Sequence, residues 1–156
     1  MSDELVFMMG KFAAKFPTDR LYAKNHMWAR PRSDDSSAEG YDFGFTAYAV
    51  RLLQDVYFLE WSVDAGTTLR EKQSIGNIES SKAESELYAP IAGVLTEFNP
   101  ALLKDPTPIN LDTYGPGRLF HMTGAGRTLL TPPQYLEHLE AAWKIAERTI
   151  KGQMND

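Results

Sequence analysis

Hydrophobic residues near the N-terminus recur at the spacing of an α-helix. Successive apolar positions are three or four residues apart until a proline interrupts them, at Leu5, Met9, Phe12, Phe16 and then Pro17. Residues at this spacing share one face of a helix, and a proline ends such a segment. The pattern predicts a short amphipathic N-terminal helix whose apolar stripe packs on its own domain.

The central part of the chain contains short apolar segments rich in β-branched and aromatic residues, separated by glycine, proline or aspartate. They predict strands at residues 21–28, 41–48, 55–63, 75–78, 87–91, 94–98 and 119–122. Residues 49–54 and 101–103 leave room for a helical turn each, and the polar residues 30–40 suit an exposed loop. Short strands at such close intervals are typical of a β sandwich or barrel.

The C-terminal segment carries clear helix signals. Thr131 is the candidate N-cap, Pro132 occupies the first helical position, and Gln134 has capping-box spacing from Thr131. Gly152 is placed to end the helix. One face is apolar, with Tyr135, Leu139, Trp143, Ala146 and Ile150. This stripe predicts a helix that covers a sheet face or edge, and a protein interface is the alternative.

Composition limits the function classes. The 156 residues, 43% of them hydrophobic, suit one domain with its own core. A formal charge of -5 and a pI near 5.2 argue against nucleic-acid binding, which needs clustered lysine and arginine, and favour a basic protein partner. No stretch of about 18 apolar residues predicts a membrane span. The apolar run 5–9 is too short for a signal peptide, so the expected location is the cytoplasm.

The pattern lacks the residues of an autonomous active site. Without cysteine the chain can have no disulfide, no thiolate nucleophile and no cysteine-bound metal. The three histidines, His26, His121 and His138, are far apart in sequence and form no metal-ligand motif. Ser80 and Ser81 lack a nucleophile-elbow pattern. We therefore expect neither a metal site nor catalytic residues.

One segment, residues 79–86, places a lysine among small and acidic residues between two predicted strands. Lys82 has Glu79, Glu84 and Glu86 nearby. A lysine at a hairpin tip is an exposed, reachable amine. From this pattern alone, a solvated turn lysine is the simpler interpretation. The three glutamates either attract partners with a basic entrance or only improve solubility.

Residues 76–93 closely resemble the lipoyl-lysine hairpin of glycine-cleavage H proteins. The matching positions are Gly76, Glu79, Ser80, Lys82, Ala83, Ser85, Tyr88, Pro90 and Gly93. Further motifs match in order and spacing at residues 22–28, 44–49, 99–106, 109–110 and 114–120. Biotin carriers usually place methionines on both sides of their acceptor lysine, whereas Ser81 and Ala83 flank Lys82 here.

The resemblance implies a mainly β fold, a barrel-sandwich hybrid of two small antiparallel sheets. Together with the helices that the apolar spacing predicts at both termini, it divides the chain into an N-terminal helical extension (1–20), a lipoyl domain (21–130) and a C-terminal helix (131–156). It also implies that lipoate is bound covalently to Lys82, with Glu79, Ser80, Ala83 and Ser85 as the hairpin context. The protein is then a cofactor-carrying component loaded by a lipoate-protein ligase, and not an enzyme.

The pathway that the carrier serves depends on positions outside the hairpin. Ala47 follows Thr46 where H proteins commonly have an acidic residue, and Gln54-Asp55 stands where a glycine-acidic pair is common. Arg118 replaces a frequent aromatic residue. These departures resemble the lipoate-binding proteins that present sulfur intermediates to a heterodisulfide-reductase-like complex in bacterial sulfur oxidation. The alternatives are an H protein that carries the aminomethyl group among the glycine-cleavage P, T and L proteins, and an unmodified interaction module.

Overall fold

Antiparallel strands form most of the protein. The structure is a computed structural model that describes residues 3–32 and 39–155, with side chains described as far as residue 147. The strands are β1 (Glu4–Met9), β2 (Phe12–Pro17), β3 (Leu21–Tyr22), β4 (Met27–Pro31), β5 (Gly40–Phe45), β6 (Val56–Trp61), β7 (Thr68–Leu69), β8 (Ser74–Ser80), β9 (Glu84–Tyr88), β10 (Gly93–Phe98) and β11 (Phe120–Thr123). The helices are α1 (Ala47–Leu53), α2 (Pro100–Lys104), α3 (Thr107–Leu111) and α4 (Pro132–Asn155). The predicted mainly β fold class with a C-terminal helix is confirmed.

Two sheets pack around the main hydrophobic core. One has six strands in the order β3-β4-β5-β11-β10-β7, and the other has three in the order β6-β8-β9. The core side chains include Phe43, Phe120, Ile75, Ile78 and Leu95, none of them more than 1% exposed. Because burial removes this apolar surface from water, it holds the two sheets together. The arrangement agrees with the expected barrel-sandwich hybrid.

The N-terminal segment is a β-hairpin, so the predicted N-terminal helix is wrong. β1 and β2 pair along their whole length with Met9 opposite Phe12, and Gly10 makes the turn at a φ of 62°. A four-residue interval keeps two side chains on one face of a strand as well as of a helix, so the apolar spacing did not distinguish them. The alternation of burial along β1 does distinguish them, because Val6 and Met8 are about half exposed whereas Phe7 and Met9 are buried.

Other predicted elements differ in detail. The strand predicted at residues 21–28 is two strands, β3 and β4, separated by a turn at which His26 has a φ of 69°. Residues 33–38 of the predicted loop 30–40 lie outside the described residues. The helical turns expected at residues 49–54 and 101–103 are α1 and α2. Helix α3 was not predicted, because its prolines suggested an irregular segment, yet a proline is compatible with the first turn of a helix.

Helix α4 confirms the predicted C-terminal helix and its capping box. The Thr131 amide donates to Gln134 Oε1 (2.9 Å), and the Gln134 amide donates to Thr131 Oγ1 (3.4 Å). The helix continues past Gly152 to Asn155, so its predicted end is wrong. A glycine costs a helix interior only about 1 kcal/mol and does not by itself end it. In the described ranges, no helix is both long enough and apolar enough to cross a membrane.

The N-terminal hairpin and α4 share a second hydrophobic cluster. Its buried members are Phe7, Met9, Ala14, Phe16, Tyr22, Trp28, Tyr48, Tyr135 and Leu139. Tyr135 stacks on Tyr22 with ring centroids 4.6 Å apart, and Phe16 meets both rings edge-on at 5.4 Å. Helix α4 therefore covers β1 and β3, which is the structural role that its apolar stripe predicted. The division of the chain at residues 20 and 130 stays a prediction.

Truncation of the buried stripe on α4 should destabilise the fold. Leu139→Ala should lower the free energy of unfolding by about 2–5 kcal/mol, because Leu139 is fully buried and the change leaves a cavity. Ile145→Ala is the control on the same helix, since Ile145 is 67% exposed and its truncation should cost no more than about 0.5 kcal/mol. Urea unfolding measures both, and equal losses would contradict the packing described for α4.

Candidate functional site

Lys82 lies in the tight turn between β8 and β9. The two strands remain paired as far as Glu79 opposite Glu84. Ser80 closes the turn: its amide and its hydroxyl donate to the Ala83 carbonyl at 2.9 and 3.1 Å. The Ser80 hydroxyl oxygen also accepts from the amides of Ala83 (3.2 Å) and Lys82 (3.4 Å). Ser80 is buried and Lys82 is exposed, so a buried serine shapes the turn that presents the lysine.

The residues predicted as hairpin context surround this turn. Ala83, Glu84, Ser85 and Glu86 are exposed, and Glu79 is partly exposed. The side chains next to the lysine are therefore small or negatively charged, and the lysine itself is exposed. Such an amine is accessible to the active site of another protein.

The turn is docked on the end of helix α1. The Ser81 amide and hydroxyl both donate to the Gln54 carbonyl, at 3.1 and 3.2 Å, and the Lys82 amide donates to the Leu53 carbonyl at 3.3 Å. Gln54 and Asp55 have φ values of 50° and 44°. Two successive left-handed residues other than glycine cost about 1–3 kcal/mol each, and such conformations persist where surrounding contacts impose them.

Helix α1 is anchored at its other end as well. Thr46 is its N-cap and accepts a hydrogen bond from the Ala49 amide (3.3 Å). The hydroxyl of Tyr135, on α4, lies 2.9 Å from Thr46 Oγ1. The Ala47 amide donates to the Tyr114 hydroxyl at 2.9 Å. Elements at both ends of α1 therefore hold the helix that holds the lysine turn.

An apolar cavity of about 220 Å³ lies beside β9. Its walls come from β4, β5, α1, β8 and β9, and most of the lining side chains are apolar: Met27, Phe45, Leu52, Leu53, Ile78 and Leu87. Asn25, His26, Ser85 and Glu86 contribute the polar part of the wall. An apolar group of several carbons fits a cavity of this size and character.

His26 contributes a neutral imidazole to this cavity. Its Nδ1 lies 3.0 Å from the Tyr135 hydroxyl. Thr46 Oγ1 already accepts a hydrogen bond from the Ala49 amide. If Thr46 donates to the Tyr135 oxygen and Tyr135 donates to Nδ1 of His26, both hydroxyl protons have an acceptor. This assignment leaves the proton of His26 on Nε2. Burial, with a smaller effect from His138, lowers the pKa of His26 to about 4.

Other residues that the sequence singled out lie on the six-stranded sheet. Arg118 forms ion pairs with Asp42 (3.5 Å) and Glu97 (3.4 Å) next to strand β11. His121 lies in β11 itself and is hydrogen-bonded through Nδ1 to Thr96 Oγ1 at 2.6 Å. The lysine turn belongs to the three-stranded sheet, so these groups are not part of it. In the part of the chain that the structure describes, no three metal-binding side chains come together.

The sequence did not predict the contact between α1 and the lysine turn. Gln54 and Asp55 stood out only because they depart from the common glycine-acidic pair. A glycine at such a corner is itself a signal for a positive φ, and the structure shows that φ at both residues. That signal could have located the corner in the backbone. It could not have shown which loop packs against it.

Comparison with known proteins gives one consistent family. The model of the family described as "Glycine cleavage H-protein" matches residues 20–148. The glycine cleavage system H protein of Rubrobacter xylanophilus is 36% identical over 128 residues, which are 81% of this chain and 97% of the relative. That of Thermus thermophilus is 36% identical over 129 residues, covering 80% and 96%. The crystal structure of a glycine cleavage system H protein from Mycobacterium marinum superposes with a TM-score of 0.67 at 32% identity, covering 80% of this chain and 99% of that one.

Acid should destabilise the protein partly through His26. Its pKa is about 4 in the folded state and about 6.5 when unfolded, so between these values the unfolded chain binds more protons and stability falls as the pH falls. His26→Asn removes the titrating group, and asparagine tolerates a positive φ. We expect the variant to lose less stability between neutral pH and about pH 4.5, by on the order of 2 kcal/mol. Urea unfolding at several pH values tests this, and equal losses in both proteins would contradict it.

Proposed function

The chain belongs to the glycine cleavage H-protein family, and we propose that it is the H protein of a glycine cleavage system with the lipoyl group on Lys82. The H protein is a lipoate-carrying component of its system and not itself a catalyst. Its lipoate is attached covalently to a lysine. The observation that supports Lys82 is its position: an exposed amine on a tight turn, within the segment that resembles the family's acceptor hairpin.

The chain's own residues suit a covalently bound lipoyl group. Lys82 offers an exposed amine for amide formation, and Ser80 and the end of α1 hold the backbone beneath it. The extended lysine-lipoyl arm reaches on the order of 14 Å. When bound, the lipoyl group supplies a dithiolane that accepts the aminomethyl group and provides a thiol-disulfide couple. The chain has no cysteine, so none of its side chains competes in that exchange.

The charges around the turn favour basic partners. Glu84 and Glu86 are exposed beside Lys82, and Glu79 is partly exposed. Acidic side chains around a reactive arm attract enzymes with positively charged entrances and raise the rate of encounter. The partners that we propose are a lipoate-protein ligase, which loads the lysine, and the P, T and L proteins of glycine cleavage. Location in the cytoplasm stays a prediction.

The comparisons give no support to the sulfur-oxidation interpretation, and the glycine-cleavage alternative fits them better. The same holds for the heterodisulfide-reductase-like complex as a partner. The departures at Ala47 and at Gln54-Asp55 lie at the two ends of α1. Arg118 lies instead next to β11 of the six-stranded sheet. An unmodified interaction module is the remaining alternative. The two experiments below distinguish these functions.

Lys82 should be the residue that becomes lipoylated. Lys82→Arg keeps the positive charge but cannot form the lipoyl amide, so it should fold normally and gain no lipoyl mass with ligase, ATP and lipoate. Lys72→Arg is the matched control, since Lys72 is another exposed turn lysine, at the opposite end of β8. Intact-mass measurement and peptide mapping read the result. Modification of Lys82→Arg, or none of the native protein, would refute the carrier assignment.

The lipoylated protein should support glycine-dependent exchange of carbon dioxide by glycine decarboxylase. We expect a rate within about tenfold of that of an authentic H protein, a factor that corresponds to about 1.4 kcal/mol in the barrier. Lys82→Arg protein is the blank. An exchange rate no higher than this blank, together with turnover by a sulfur-oxidising complex, would replace glycine cleavage with the sulfur-carrier function.

A further inference from the structure

We infer that the corner between α1 and β6, residues 53–55, positions the acceptor lysine, and that Gln54 is its central positioning residue. The inference rests on the proposed role of Lys82. It adds a function for a backbone corner that is hydrogen-bonded to the backbone of the turn and to the Ser81 hydroxyl.

The polar groups of the lysine turn bond in two directions. Ser80 satisfies the inner side of the turn, through Ala83 and the amide of Lys82. The outer side is satisfied across to α1: Ser81 donates twice to the Gln54 carbonyl, at 3.1 and 3.2 Å, and the Lys82 amide donates to Leu53 at 3.3 Å. An exposed hairpin tip ordinarily gives such amides to water and frays. This tip is tied to a helix.

The corner itself has an unusual backbone conformation. The Gln54 amide still donates to the Val50 carbonyl (2.8 Å), as in a helix, but the residue itself has φ 50° and ψ 136°. The following residue, Asp55, is also left-handed. The helix therefore ends abruptly at Gln54, and the rotation about its ψ sets the direction of its carbonyl, which accepts both bonds from Ser81.

The corner is also held from both sides. Beyond it, the Asn110 side chain accepts from the Val56 amide (2.8 Å) and donates to the Val56 carbonyl (2.9 Å), like a neighbouring strand. Val56 in turn pairs with Ser80, the residue that closes the lysine turn. The strained corner thus lies between two fixed points, and both connect to the hairpin that carries Lys82. Strain kept in place by its surroundings is a feature of functional sites.

The consequence is a fixed origin for a mobile arm. If the turn adopts several conformations, a loading enzyme binds only the competent fraction, and its apparent affinity falls in proportion to that fraction. The chemical step, once the lysine is bound, is unchanged. Loosening the corner should therefore raise the KM for the carrier in lipoylation and leave kcat close to its native value.

The test compares substitutions at two left-handed residues. Gln54→Val places a β-branched side chain at a backbone position with a positive φ, which such residues strongly disfavour. Lys72→Val does the same at a residue with φ 71° whose amide donates to the Ala89 carbonyl, beyond the end of β9 that lies away from the lysine turn. Gln54→Gly permits the positive φ and should rescue the native behaviour. Ser81→Ala removes only the hydroxyl bond and keeps the amide bond.

Two measurements are made on the full chain: hydrogen exchange of the Ser81 and Lys82 amides, and KM and kcat for lipoylation by a lipoate-protein ligase. For Gln54→Val we expect roughly threefold to tenfold faster exchange and a KM raised by a similar factor, the range of losing one or two hydrogen bonds. Ser81→Ala should raise KM about twofold to threefold. Gln54→Gly and Lys72→Val should keep native exchange and native KM.

The inference is overturned if Gln54→Val leaves exchange and KM unchanged, or if Lys72→Val raises them equally. Should Gln54→Val fail to fold, Ser81→Ala decides, and native KM and exchange in that variant would overturn the inference. Failure of the proposed function gives a different result. In that case the native protein is not lipoylated at Lys82, while amide exchange still reports whether Gln54 holds the turn.

Discussion

The lysine turn depends on hydrogen bonds that its amides donate to carbonyls at the end of helix α1. The end of a helix has carbonyl groups without partners inside the helix, and a tight turn has amides without partners in its own hairpin. In this protein the amides of Ser81 and Lys82 meet the carbonyls of Gln54 and Leu53. Each element supplies what the other lacks. As a result, Lys82, whose side chain is exposed, is held at its backbone.

These hydrogen bonds fix the backbone at Lys82, whereas the lysine side chain stays flexible. A carrier is effective when its tethered group reaches several partners at a high local concentration, and that concentration falls as the accessible volume grows. In the proposed carrier, the flexible Lys82 side chain extends the lipoyl group toward its partners. The docked turn fixes the position from which that side chain extends. The apolar cavity beside β9 is bounded by the same helix, so the fixed base and the neighbouring apolar wall form one unit.

The terminal elements act on this unit from the opposite end. The family match begins at residue 20, after β2 has ended at Pro17. The N-terminal hairpin nevertheless contributes Phe16 to the cluster that buries Tyr135, and the Tyr135 hydroxyl bonds to Thr46, the N-cap of α1. The N-terminal hairpin, which lies outside the matched region, thus supports the helix that holds the lysine turn.

What the sequence by itself determined is local. Short segments rich in β-branched and aromatic residues predicted most strands of the two core sheets, although β9 begins at Glu84 and not at Leu87. The Thr131 and Gln134 pair predicted the start of α4, and the motif around Lys82 indicated the family and the proposed acceptor. Only the tertiary structure decided that the N-terminal apolar residues form a hairpin, because Leu5, Met9, Phe12 and Phe16 fit one face of either element until a partner strand is present. It also decided that Gln54 holds Ser81, 27 residues further along the chain. Contacts of that kind arise from packing between elements distant in sequence, and no local spacing encodes which elements will meet.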